Sequence, residues 1–224
     1  MTFKTADDYT RKISTDEDFM KYNSDDLLYG ALQYLSTFHP ELGYLYITKA
    51  KITKNKKEIY DICNLNAKTL RDHLKRLQEK GLIKEKKIYI GQDKTEYDCY
   101  VFSYKDGGHY QIVNNEMLWY IVSTRNKQAV RIYTMLLDWY DWKSKEGSEY
   151  IFTNENIIER LGYSTNGKTS IASSMVSNIL ESFKREGVID YQDEVERTIL
   201  PTGKEINVYR KRLTFVATSK LQLQ

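Results

Sequence analysis

The feature that most constrains this chain is a pattern that occurs twice. Leu74-Lys75-Arg76-Leu77-Gln78-Glu79-Lys80-Gly81-Leu82-Ile83 and Leu180-Glu181-Ser182-Phe183-Lys184-Arg185-Glu186-Gly187-Val188-Ile189 match in residue type. In each, an apolar helix face ends at a glycine and runs directly into an apolar strand. Glycine is the residue that closes a helix in the left-handed conformation. The two glycines lie 106 positions apart, about one domain length. A chain of 224 residues therefore reads as two copies of one supersecondary plan.

Periodicity fills in the plan. Ser24-Asp25-Asp26 reads as a helix N-cap, followed by Leu27, Leu28, Ala31, Leu32 and Leu35 on one stripe. That helix stops by Phe38, because Pro40 restricts His39. Residues 45–48 read as a strand and 56–63 as a helix with Ile59, Ile62 and Cys63 inward. Asn66 caps a helix over 67–80 with Leu70, Leu74 and Leu77 inward, and a strand–turn–strand follows to Tyr104. After the linker Asp106-Gly107-Gly108 the order recurs. A strand at 110–113 and a short helix around Met117 lead into a long helix over 127–142 and a strand at 148–152. A helix capped by Thr153 follows, then one over 168–186 with Ile171, Met175, Ile179, Leu180 and Phe183 inward, and a hairpin to Val216.

The expected fold is α+β, mainly helical, with two tandem winged helix-turn-helix domains. The expected divisions are a polar arm at 1–24, a basic first domain at 25–105, a second domain at 110–218 and a tail at 219–224.

Charge is unevenly spread. Between Lys49 and Lys94, fourteen Lys or Arg face six Asp or Glu, an excess of +8 in a chain whose total is +3. The remainder is therefore at −5. A local surplus of this size is the footprint of a polyanion-binding surface, or else a solvated lysine-rich face.

Other chemistry is excluded by what the sequence lacks. Hydrophobic residues at 41% and charged residues at 29% allow a packed core and exclude wholesale disorder. No apolar run approaches the roughly 18 residues of a membrane span, and residues 1–8 do not read as a signal peptide. Cys63 and Cys99 are too few for a disulfide framework or a zinc cluster, so a reducing, cytoplasmic setting is expected. His39, His73 and His109 have no partner at metal-ligand spacing. Asn166-Gly167-Lys168-Thr169-Ser170 lacks the earlier glycine and the buried strand of a phosphate loop, and reads as a helix start. Cys63 sits on an apolar face and reads as core. No metal, cofactor or small-molecule substrate is expected, and an enzyme built on Ser173 or Ser174 is the weakest alternative.

The helix over 67–80 carries the sharper reading. Its outward face holds Lys68, Thr69, Arg71, Asp72, Lys75 and Arg76. A helix fits the DNA major groove, and its N-terminal side chains reach base edges. Lys68, Thr69, Arg71 and Asp72 are expected to meet bases, with Arg71 suited to guanine. Lys75 and Arg76 are expected to meet phosphate. Lys54, Lys56 and Lys57 open the preceding helix, where backbone amides attract phosphate, and Lys84, Lys86, Lys87 and Lys94 arm the hairpin.

The second copy differs. Its corresponding helix offers Lys168, Thr169, Ser170, Ser173, Ser174 and Ser177, short hydrogen-bonding groups suited to close contact with DNA. Packing against another protein, such as a dimer partner, stands equally open. Arg210, Lys211 and Arg212 form a compact positive patch in which Arg210 and Arg212 share a face, with Lys204 in the turn. Arg125, Lys127 and Arg131 gather at the start of the long helix as a phosphate clamp or a solvated helix end.

Asn114-Asn115-Glu116-Met117-Leu118, Tyr133-Thr134-Met135-Leu136-Leu137-Asp138-Trp139-Tyr140 and Phe152-Thr153-Asn154-Glu155, set in this tandem plan, resemble the plasmid and phage replication initiator proteins. The resemblance spans most of residues 25–216. It implies two domains that each lay a helix in a major groove of repeated origin sequences, with monomers and dimers in different roles. The expected function is sequence-specific binding of double-stranded DNA, as an initiator. A transcriptional regulator and a winged-helix protein-interaction module are the alternatives.

Overall fold

A computed structural model describes residues 10–14, 25–91, 95–103, 109–145, 149–163 and 169–223. Every strand pairing among them is antiparallel and helices lie alongside the sheets, so the class is α+β. Long hairpins give strands a larger share than a mainly helical fold implies. The chain divides into two compact units: of the described residues, 10–14 with 25–130 form one and 131–223 the other.

The first unit runs β1 (Thr10–Ser14), α1 (Asp26–Leu35), β2 (Thr37–His39), β3 (Tyr44–Thr48), α2 (Lys49–Lys54), α3 (Lys56–Cys63) and α4 (Ala67–Glu79). It continues with β4 (Ile83–Ile90), β5 (Thr95–Phe102), β6 (Tyr110–Asn114) and α5 (Asn115–Ser123). The strand order β2-β3-β5-β4 makes one sheet, and β1 with β6 makes a separate ribbon. Leu28, Leu32, Ile47, Ile59, Leu77 and Ile83 fill the core, with Tyr29 edge-on to Phe102 at 5.8 Å.

The second unit continues α6 (Ala129–Lys145) and adds β7 (Tyr150–Phe152), α7 (Asn154–Arg160), α8 (Thr169–Arg185), β8 (Ile189–Ile199) and β9 (Glu205–Val216). Its sheet order is β7-β9-β8, the same connectivity as β3-β5-β4. Tyr133, Leu136, Phe152, Ile157, Val176 and Phe183 are buried, and the Tyr133 hydroxyl donates to the Ala217 carbonyl at 2.7 Å.

The repeat extends to single hydrogen bonds. Gly81 (φ +69°) and Gly187 (φ +72°) adopt the left-handed conformation. Beyond them, Leu82 N–H donates to Leu77 O at 3.0 Å and Val188 N–H to Phe183 O at 2.8 Å, the six-to-one bond that closes a helix at such a glycine. The residue after each glycine then accepts from the strand that ends its hairpin, Ser103 N–H to Leu82 O and Ala217 N–H to Val188 O. In both units a threonine at a strand's end, Thr48 closing β3 or Thr153 just beyond β7, caps the next helix.

Several boundaries differ from the sequence reading. Thr10–Ser14 is not part of a polar arm: it pairs with β6, Thr10 against Asn114 and Ser14 against Tyr110. Arg11 is buried there and donates to the carbonyls of Gln33 at 2.7 Å and Ser36 at 3.0 Å. The segment 110–123, expected to open the second domain, belongs to the first unit. Its helix α5 packs on α1, stacking Trp119 on Tyr34 at 4.2 Å. Gly30 permits this approach, since a Cβ there would stand 2.8 Å from Val122 Cγ2. The compact units thus part at Val130 rather than near residue 108. In α8, Ile179, Leu180 and Phe183 are buried as expected, while Val176 is buried in place of the half-buried Met175.

Candidate nucleic-acid interface

Helix α4 owes its orientation to both of its ends. At its start, Asn66 Oδ1 accepts from Lys68 N–H and Thr69 N–H, both at 3.0 Å, and Thr69 Oγ1 accepts from Asn66 N–H at 2.8 Å. This reciprocal cap fixes the first turn. It also engages the Thr69 hydroxyl, which bonds to both the N–H and the carbonyl of Asn66. Leu70 and Leu77 are buried. At 100° per residue, Lys68, Asp72 and Lys75 then point away from the core, with Arg71 beside them. All four are exposed, and Lys75 sits 3.6 Å from Glu79 one turn on.

His73, Arg76 and Lys80 occupy the flank of α4 and converge on Asp25 at the start of α1. The Asp25 side chain is 2% exposed. His73 Nδ1 lies 2.6 Å from Oδ1, Arg76 Nη2 2.9 Å from Oδ1 and Lys80 Nζ 2.6 Å from Oδ2. Burial opposes the charge on Asp25, but the hydrogen bonds and charges of Arg76 and Lys80 outweigh it, so its pKa lies below the ordinary aspartate value. For His73, burial and then the Arg76 charge lower the pKa despite the nearby carboxylate. His73 is therefore neutral and donates its Nδ1 proton to Asp25. Asp25 flanks α1, but its side chain makes no cap bond there. Arg76, expected at phosphate, is held by a carboxylate on its own chain.

Around α4 the basic surplus separates into free and engaged groups. Lys54, Lys56 and Lys57 on α2 and α3, and Lys84 on β4, are exposed and have no carboxylate partner among the described residues. Lys86 lies over the Tyr44 ring at 5.3 Å. Lys87 pairs with Glu96 at 3.1 Å and Lys49 with Glu85 at 2.8 Å. Lys94 lies outside the described residues. Arg125 pairs with Asp61 at 2.6 Å and adopts a left-handed backbone, φ 59°, while Lys127 is exposed. Arg131 is fully buried and cannot clamp phosphate.

The second unit has no matching surplus on its hairpin. Arg210 pairs with Glu196 at 2.6 Å, Lys211 with Asp193 at 2.6 Å, and Arg212 with both Glu194 and Glu149. The expected positive patch is therefore neutralised by the strand it pairs with. Register explains this: Asp193 faces Lys211 and Glu194 faces Arg210 across the ladder. Sequence distance hides these partners, and only the hairpin register could have shown them. On α8, Ser173 is half-buried and Ser174 exposed. The Ser177 hydroxyl accepts from Asn154 Nδ2 at 2.8 Å, tying α8 to α7. Lys168 and the side chains of Thr169 and Ser170 lie outside the described residues. Lys204 is exposed in the hairpin turn.

Burial pushes the Cys63 thiol up to about 12, with a further push from the Asp26 charge, so Cys63 is not a nucleophile at neutral pH. Among the described residues, no helix is long and apolar enough to cross a membrane. No family of known proteins, no curated protein and no solved structure matches this chain.

Proposed function

We infer that the chain is a sequence-specific binder of double-stranded DNA rather than an enzyme, acting in the cytoplasm through two winged helices. Within that class, the resemblance carried by residues 114–118, 133–140 and 152–155 favours a replication initiator. The observation that carries the reading is the outward face of α4. Lys68, Arg71 and Lys75 are exposed on a helix whose first turn is fixed by a reciprocal cap. Helix α4 packs against β4, the strand that bears Lys84 and Lys86. A rigid helix with cations on its N-terminal half suits a major groove, and hairpin lysines suit the flanking backbone.

The two units divide the work. The first supplies most of the electrostatic affinity. The charge-balanced hairpin of the second favours a supporting contact, made by the hydroxyls of α8 on DNA or by the hairpin on protein. Selection of bound duplexes from a random pool, at two salt concentrations, tests this. The expected outcome is a recovered consensus with affinity falling by roughly 10³-fold between 50 and 200 mM salt, as for about six neutralised phosphates. No enrichment, or binding indifferent to salt, would leave the protein-interaction reading in its place.

A further inference from the structure

Among its outward cations, the N-terminal half of α4 presents one carboxylate. Asp72 is exposed and makes no ion pair among the described residues, although basic side chains surround it. Residues three and four positions away are neighbours on a helix, here Lys68, Lys75 and Arg76. Arg76 stands in the favourable order, four residues after the acid, but it is drawn off to Asp25, with Nη2 2.9 Å from Oδ1. Lys75 lies 3.6 Å from Glu79. Lys68 stands four residues before Asp72, the weaker order for a helical pair. Asp72 is thus left facing outward with no donor on its oxygens among the described residues.

A carboxylate in that position opposes the rest of the face. It repels phosphate and subtracts from the attraction that Lys68, Arg71 and Lys75 exert on any duplex. It gains only where the major groove offers it a donor. Guanine and thymine present acceptors there, and adenine sets its amino donor beside the N7 acceptor. Cytosine alone presents an amino donor, on N4, with no acceptor next to it. Arg71 and Asp72 are consecutive, so they project about 1.5 Å apart along the helix axis and about 100° apart around it, on either side of the line through Lys68 and Lys75. Successive base pairs are about 3.4 Å apart, so the two side chains reach one base pair or two adjoining ones. We propose that Asp72 is the specificity-determining residue of α4, accepting from N4 of a cytosine in the base pair read by Arg71 or in the next one. The assignment rests on duplex binding through α4 and adds to it a named base. Asp72 acts chiefly by penalty, because any other base in that place leaves its carboxylate desolvated against an acceptor.

The test uses the full chain. Duplexes are selected from a random pool with wild type, R71A and D72A. Wild type is expected to enrich a site with a cytosine in, or one step from, the base pair whose guanine R71A no longer selects. D72A is expected to lose preference for that cytosine by at least ~5-fold, while binding random duplex at least ~2-fold more tightly than wild type. A second measurement places N4-methylcytosine there, which keeps the pairing hydrogen and replaces the one facing the groove. It is expected to weaken wild type at least ~5-fold and to leave D72A unchanged. A wild-type site without that cytosine, a D72A chain that still selects it, or equal binding of methylated and unmethylated sites by wild type would each overturn the assignment while duplex binding stands. So would a D72A affinity that falls alike on every duplex, the mark of a residue that only supports the helix. A wild-type chain that enriches no duplex overturns the duplex reading itself and this assignment with it.

Discussion

Removing the Asp25 carboxylate is expected to cost the first unit about 3 kcal/mol. The figure follows from the three donors it accepts. Lys80 and His73 are largely buried, with side chains 17% and 14% exposed, so Asp25→Ala removes from each a hydrogen bond made where water reaches poorly. Each such loss is worth about 1–2 kcal/mol. Arg76 is 38% exposed and can turn to solvent, so its share is discounted to about 0.5 kcal/mol. The sum lies at the lower end of the 3–5 kcal/mol measured when one member of a buried ion pair is removed. Urea unfolding followed by tyrosine and tryptophan fluorescence reads this as a fall in midpoint of about 1–3 M at ordinary slopes. Asp25→Asn keeps the shape and one acceptor, so it is expected to lose roughly half as much. In a Lys80→Ala background the cost of Asp25→Ala is expected to shrink by at least ~1 kcal/mol, because part of the interaction is already gone. Wild-type stability in both Asp25 variants, or strict additivity with Lys80→Ala, would refute the claim that this carboxylate fastens α4 to α1.

Acid should weaken the first unit in two stages. The folded state holds His73 neutral and Asp25 ionised, both with lowered pKa, so the unfolded chain binds more protons on acidification. Stability is fully present above about pH 6.5 and declines below it as His73 is forced to charge, then declines again below about pH 4 as Asp25 is protonated. His73→Asn, with an amide N–H in place of Nδ1–H, is expected to flatten the first stage in a urea series across pH. Gly30→Ala is expected to cost about 1–3 kcal/mol in thermal or urea unfolding, because Val122 and Val130 crowd the new methyl. In DNA binding, Arg71→Ala should cost about 1–3 kcal/mol and relax base preference, whereas Lys84→Ala should weaken specific and random duplexes alike. Competition binding separates the two, and an equal loss on both duplexes for Arg71→Ala removes it from base reading.

The sequence exposes features held by local chemistry. Gly81 and Gly187, the cap at Asn66, the cap at Thr153 and both long hairpins depend on residues a few positions apart, and all were legible. What escaped depends on partners far along the chain. Nothing near Thr10-Arg11-Lys12-Ile13-Ser14 signals a strand, because its pairing partner lies about a hundred residues away and its buried arginine is satisfied by α1 carbonyls. The parting of the compact units at Val130 was hidden for the same reason: the fit of α5 against Gly30 is a property of helix faces, invisible in the linker-like Asp106-Gly107-Gly108.

Charge was legible as a total but not as a set of free groups, and this matters most for function. Counting residues gives the segment from Lys49 to Lys94 a surplus of +8, yet the acids that cancel its members lie both inside and outside that window. Asp25 sits before it and absorbs Arg76 and Lys80, while Glu85 and Glu96 hold Lys49 and Lys87. The exposed cations of that window left without a carboxylate partner among the described residues are Lys54, Lys56, Lys57, Lys68, Arg71 and Lys84, with Lys86 over an aromatic ring. The same rule empties the second hairpin, where Arg210, Lys211 and Arg212 each pair with a carboxylate, directly opposite for Lys211 and diagonal for Arg210 and Arg212. Two copies of one backbone plan therefore present different surfaces. Their helices and sheets follow from the shared apolar pattern, and the difference follows from whether each cation meets a carboxylate of its own chain. That criterion singles out the N-terminal half of α4, rather than its whole length, as the surface a polyanion can reach.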